Sequence, residues 1–162
     1  MNAIATLRLL AVSEALNVPV GADVLIAAGV QALLDGVDSP SLSLLAGLSR
    51  REEGEAQELF HDVVAELALT PTEPLDFSAE RWNLVRWWCE QITDGTLEPE
   101  VAGRKIWFHG WMELGFPEVL QPMLLAVNEW EDWNPSWNFG RDHYQTRITD
   151  EAVLLLRGSW PP

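Results

Sequence analysis

Three observations predict an all-α protein, a compact single-domain bundle of about six to eight short helices with an aromatic-rich loop near residues 132–143. Apolar residues recur at three- and four-residue spacing along most of the chain. No stretch alternates apolar and polar residues as a half-buried strand does. Prolines and glycines fall between the periodic stretches, where they start and stop helices.

Taken in order, residues 3–16 and 22–34 form a helical hairpin, separated by Pro19 and Gly21 and closed by Gly36. Ser39 then supplies a cap and Pro40 a first-turn residue for a short helix, Pro40 to Ala46, stopped by Gly47. Ser49 with Glu52 reads as a capping box, in which each side chain satisfies an exposed backbone N–H of a new helix. Ala56, Leu59, Phe60, Val63, Val64 and Leu67 line one face of that helix, which is expected over Arg50 to Ala68. Pro71 and Pro74 mark residues 69–76 as a linker, so the single domain 1–162 has one place for a subdivision. Ala/Leu-rich helices would then occupy 1–68 and Trp-rich helices 77–162.

From Ser78, the positions Ala79, Trp82, Val85, Cys89 and Ile92 make a stripe ended by Asp94-Gly95. Pro99 opens a helix that ends near Gly110 or Gly115, and Pro117 or Pro122 opens another carrying Leu120, Met123, Leu124, Val127 and Trp130. Residues 132–143 have no period and read as a structured loop. Thr149, with Asp150 and Glu151 behind it, is expected to cap a last helix running to Gly158.

The formal net charge is −15, with 25 acidic against 10 basic residues. Such a chain repels phosphate backbones and anionic lipid, so neither nucleic acid nor a membrane is an expected partner, while a basic protein is. A helix-turn-helix outline around residues 47–49 does not change this, because its second helix begins with Arg-Arg-Glu-Glu-Gly-Glu and presents carboxylates to DNA. The apolar run 15–34 is broken by Pro19, Gly21, Asp23 and Gly29 and is read as two core helices instead of a membrane span. The lone cysteine, Cys89, is expected to be a small buried hydrophobe in a reducing, cytoplasmic compartment, and no secretion signal is evident at the N-terminus.

All nine tryptophans fall after residue 81. Trp82, Trp88 and Trp107 sit on helical stripes where burial is the simple reading. Trp130, Trp133 and Trp137, with Trp111 beside them, fall on or near the aperiodic loop, together with Glu129, Glu131, Asp132, Asp142 and His143. Indoles flanked by carboxylates form either a cage for a cation or an arginine, or plain core cover. Paired acids beside aromatics are also how glycosidases work, but adjacent acids arise by chance in so acidic a chain.

His109 and Glu113, four apart, are spaced to share a proton. Glu58 and His61 have the Glu-x-x-His spacing of di-iron bundles, present once where two copies are needed, so a solvated helix face is expected. Nucleophile elbows, phosphate loops, Cys-x-x-Cys pairs and His-Glu-x-x-His are missing, and no metal or cofactor is called for.

The expected function is therefore non-enzymatic: an immunity- or inhibitor-like module that docks a basic protein through an acidic, Trp-bearing surface in residues 107–143. The alternative is a small-molecule binder or enzyme with a Trp-lined pocket that uses His109, Glu113 and His143. A homodimer that buries the tryptophans is the third reading.

Overall fold

Asn2 opens the first helix, its Oδ1 accepting the Ala5 N–H at 2.8 Å. In the computed structural model, which describes residues 2–162, the chain is all-helical, with eight α-helices and no strand among the described residues. No described helix is long and apolar enough to cross a membrane. The chain divides into two compact units, residues 2–75 and Asp76–Pro162.

The first unit holds α1 (Ala3–Ala15), α2 (Ala22–Leu34), α3 (Pro40–Ala46) and α4 (Glu53–Glu66). α2 packs on α3 and α4, and α1 packs on α2 and α4. Leu7, Leu10, Leu25, Leu42, Leu45 and Phe60 are fully buried between them. Hydrophobic burial of this kind supplies roughly 1.5–3 kcal/mol per large side chain.

Three details depart from the sequence expectation. Ser39 holds the N-cap position of α3, yet its hydroxyl makes no capping bond. It donates instead to the Glu66 carboxylate at the far end of α4, which also accepts the Ser41 N–H at 3.0 Å and the Ser41 hydroxyl at 2.7 Å. The helix start is thus capped by a carboxylate from another helix. The Ser49–Glu52 box forms only by half: the Glu52 carboxylate accepts the Ser49 N–H and hydroxyl at 2.8 and 3.0 Å. That turn keeps residues 50–52 out of the helix, so α4 starts at Glu53 instead of Arg50. It stops at Glu66, before the expected Ala68, because Ala68 turns left-handed (φ 53°) and the Leu69 N–H closes onto the Val64 carbonyl at 2.8 Å.

The serine bonds hold the Glu66 carboxyl below its ordinary pKa of 4.5. A depressed carboxyl contributes stability that is present above its unfolded pKa and lost as pH falls through the folded one. Glu66→Gln is therefore expected to destabilise the first unit at neutral pH. The gap to wild type should narrow as pH drops below the ordinary carboxylate range, as read by urea unfolding at a series of pH values. A gap independent of pH would overturn this.

The second unit begins with α5 (Phe77–Asp94), capped by Asp76 Oδ1 accepting the Ala79 N–H at 3.0 Å and ended by Gly95 at φ 77°. α6 (Pro99–Lys105) continues without a break into a π-helical turn, Ile106–Trp111. Gly115 and Phe116, both with positive φ, end that segment. Pro117 precedes a 3₁₀ turn, Glu118–Leu120, and Pro122 lies in the first turn of α7 (Gln121–Glu131).

The last helix, α8, runs Arg141–Arg157, eight residues earlier than the expected Thr149 cap, which leaves Thr149 inside the helix. Its stripe is Tyr144, Ile148, Ala152 and Leu155, a single apolar residue per turn in the first half, too sparse to stand out from the aromatic residues before it. The loop accordingly shortens to 132–140, and Arg141, Asp142 and His143 become a first helical turn.

α8 packs on α5, α6 and α7, and α6 also packs on α5 and α7. Leu84, Trp88, Ile106, Leu120, Met123 and Ile148 fill the interior. Cys89 is buried there too, and burial, aided by Glu90, pushes its thiol up to about 12, so it stays protonated and inert.

Candidate functional site

The tryptophans of the second unit fall into separate groups with different jobs. Trp87 and Trp88 are core. Trp82 is half-buried and meets Trp160 edge-on at 6.2 Å. Of the remaining five, Trp107 and Trp111 lie on the π-helical turn, Trp130 on the last turn of α7, and Trp133 and Trp137 in the 132–140 loop.

At the loop, the cage already holds the chain's own cations. The Arg141 guanidinium lies 3.9 Å from the centroid of the Trp130 ring, with Arg104 at 5.7 Å. Arg104 Nε donates to Glu131 Oε1 at 2.6 Å, and Arg147 pairs with Glu129. Glu129 and Glu131, read as a docking charge, are thus matched within the unit. Asp132 accepts from Asn128 Nδ2 at 3.2 Å, while Asp142 stays exposed on the first turn of α8.

The loop is latched by Trp133, whose Nε1–H donates to the Phe139 carbonyl at 2.9 Å. Trp137 packs edge-on against Tyr144 at 5.3 Å, and Phe139 stacks on His143 at 4.2 Å. The loop is thus packed by its own side chains, while Trp137 and Phe139 remain 40% and 55% exposed.

The π-helical turn Ile106–Trp111 holds the sequence Trp107-Phe108-His109-Gly110-Trp111. Its signature bond runs from the Met112 N–H to the Trp107 carbonyl at 3.1 Å. Gly110 lets the turn press close against α5: a Cβ there would lie 2.7 Å from Val85 Cγ2. Trp107, which the sequence placed on a buried stripe, is half-exposed in this turn.

Arg81 of α5, which no motif singled out, ties the turn down. Its Nη1 donates to the His109 carbonyl at 2.8 Å, and its Nη2 lies 3.8 Å from Glu113 Oε2. Burial holds the His109 imidazole below its ordinary pKa, with Lys105 and Arg81 adding to the effect and Glu113 opposing it, so the ring is neutral at pH 7.

Trp107 and Trp111, with Gln121, Leu124, Leu125 and Asn128, line a groove of about 270 Å³. Phe108 stacks on Trp107 with ring centroids 5.6 Å apart, and Phe116 meets Trp111 edge-on at 4.7 Å, which extends the apolar surface beyond the groove. Phe108, Phe116 and Leu125 are 51%, 57% and 62% exposed, and Met112 and Val119 of the same stretch are exposed as well. Trp111 Nε1 is buried with no acceptor among the described residues, an arrangement that costs about 1–3 kcal/mol.

His109, Glu113 and His143 do not line the groove. Among the described residues no group of three or more His, Cys, Asp or Glu side chains is placed to hold a metal ion. Of the sequence candidates, the structure brings Trp130, Glu129, Glu131, Trp133, Trp137 and His143 into neighbouring internal contacts and places Trp111 on the groove. Phe108, Met112, Phe116 and Leu125 were missed. For Phe108 and Met112 the signal was legible: apolar residues at 106, 107, 108, 111 and 112 cover too wide an arc for one buried face. Comparison with protein-family models, with curated proteins and with solved structures finds no match to this chain.

Proposed function

We propose that this chain is a protein-binding module that recognises a basic partner, with the Trp107–Trp111 groove as the anchor site. The observation that supports this reading best is that Leu125, which lines the groove, and Phe108 and Phe116, which pack on its tryptophans, are all exposed large apolar side chains. Contiguous apolar surface is costly in water and marks interaction sites, and aromatic anchors carry most of the affinity of such sites. The groove's polar lining is Gln121 and Asn128, neutral groups that orient a ligand but do no acid–base chemistry.

The charge argument is global. The second unit holds fourteen acidic and seven basic residues, and the first eleven and three. A long-range negative field speeds encounter with a cationic protein and opposes association of a second copy of the chain. Because Glu129 and Glu131 are matched by Arg147 and Arg104, the anchor moves from the 130–137 cluster to residues 107–125.

Affinity capture with wild type and Leu125→Asp, repeated from low to high salt, tests this. Leu125 is exposed, so its replacement leaves the core intact. A partner held through this site should be lost from the variant, with affinity falling about thirtyfold or more, as expected for a hot-spot anchor worth about 2 kcal/mol. It should also weaken as salt rises. A partner indifferent to Leu125→Asp, a salt-insensitive one, or a homodimer in sedimentation would each overturn the proposal.

A further inference from the structure

The first unit contains a cleft of a different kind, built around two residues distant in sequence. Glu14 of α1 and His61 of α4 meet with His61 Nε2 3.0 Å from Glu14 Oε2. Two cavities, of about 350 and 470 Å³, share this pair in their walls. The smaller is walled by apolar Ala11, Ala15, Val64 and Pro71. The larger adds Glu53, Asn17 and Gln57, and Gln57 Nε2 donates to the Val20 carbonyl at 3.0 Å, holding the α1–α2 connection as its rim. Both are open depressions, so a ligand there lies partly sunk against α1 and α4.

The lining chemistry selects the ligand. Two carboxylates, Glu14 and Glu53, line the cleft, and among the described residues no lysine or arginine lines either cavity. An anion is therefore repelled. The Glu14 side chain is only 18% exposed, and among the described residues the basic group paired with it is an imidazole. A partly desolvated carboxylate is stabilised by any full positive charge brought beside it. We propose that the cleft binds a small organic amine with an apolar body, its ammonium against Glu14 and its body along the Ala11, Ala15, Val64 and Pro71 wall. The carboxyl of Glu14 supports this: burial raises its pKa, and the lowering by His61 does not fully offset that, so the site has capacity for further positive charge.

The test uses the full chain and three probes of nearly equal size: 2-phenylethylammonium, the neutral 2-phenylethanol and the anionic 3-phenylpropionate. Binding is read from the NMR shifts of the His61 ring. The ammonium is expected to give a saturable shift, the alcohol to bind about tenfold more weakly, and the anion not to saturate. Glu14→Gln should weaken the ammonium about tenfold or more. Ala15→Trp, at an exposed position on the cavity wall, should abolish saturation without changing the helical CD spectrum, and it decides the matter if Glu14→Gln does not fold. A non-saturable ammonium titration, equal binding of the alcohol, an unaffected Glu14→Gln protein or an unaffected Ala15→Trp protein each overturns the proposal.

Discussion

Replacing Trp88 by alanine is expected to lower the stability of the second unit by about 3–5 kcal/mol, the cost of emptying a fully buried indole site. Trp88 is 2% exposed and lies on α5, the helix that packs on α6, the π-helical turn and α8 together. The lost volume therefore opens toward several elements at once, and none can collapse into it without leaving another. Since whole domains are stable by only about 5–15 kcal/mol, a loss of this size removes a large share of the total. Urea unfolding followed by far-UV CD measures it. A loss below about 1 kcal/mol would show that the site collapses freely, contrary to the packing described.

Gly103→Val is expected to be the second most disruptive change, at about 3 kcal/mol. α6 crosses α7 and α8 here so closely that a Cβ on residue 103 would sit 2.6 Å from Val127 Cγ2 and 3.4 Å from Ile148 Cγ2. Val127 is β-branched and helical, so its χ1 cannot swing away cheaply. Two effects compete at this position. Any side chain raises helix propensity over glycine, by about 1 kcal/mol for alanine. Overpacking costs about 1–3 kcal/mol, and for valine two further methyl groups enter the same crowded space. The steric term wins. Thermal melts of the Ala and Val variants should rank them wild type, Ala, Val in falling order, whereas a stabilised Gly103→Ala protein would show that α6 can move away.

The sequence signals were sound where local chemistry decides. Residues 22–34 and 40–46 were bounded by Gly21, Gly36, Pro40 and Gly47, and the helices end there because glycine and proline act on the backbone whatever packs around them. They failed where an element depends on distant contacts. α8 was shortened because its first half shows only Tyr144 and Ile148 toward the core. The π-helical turn was invisible because a fixed 3.6-residue period cannot register one extra residue.

For the candidate site, residue positions, charge and periodicity established that the tryptophans concentrate in the second half of an acidic, all-helical chain. Which of them are covered was decided by the tertiary structure. Arg104 and Arg141 come from different helices to cover Trp130, and Arg147 and Arg104 neutralise the carboxylates beside it. His61 likewise found its partner in Glu14 on another helix instead of Glu58 on its own. Periodicity identifies the face a residue occupies. What lies against that face depends on helices brought together from far along the chain, and such contacts leave no trace in local spacing.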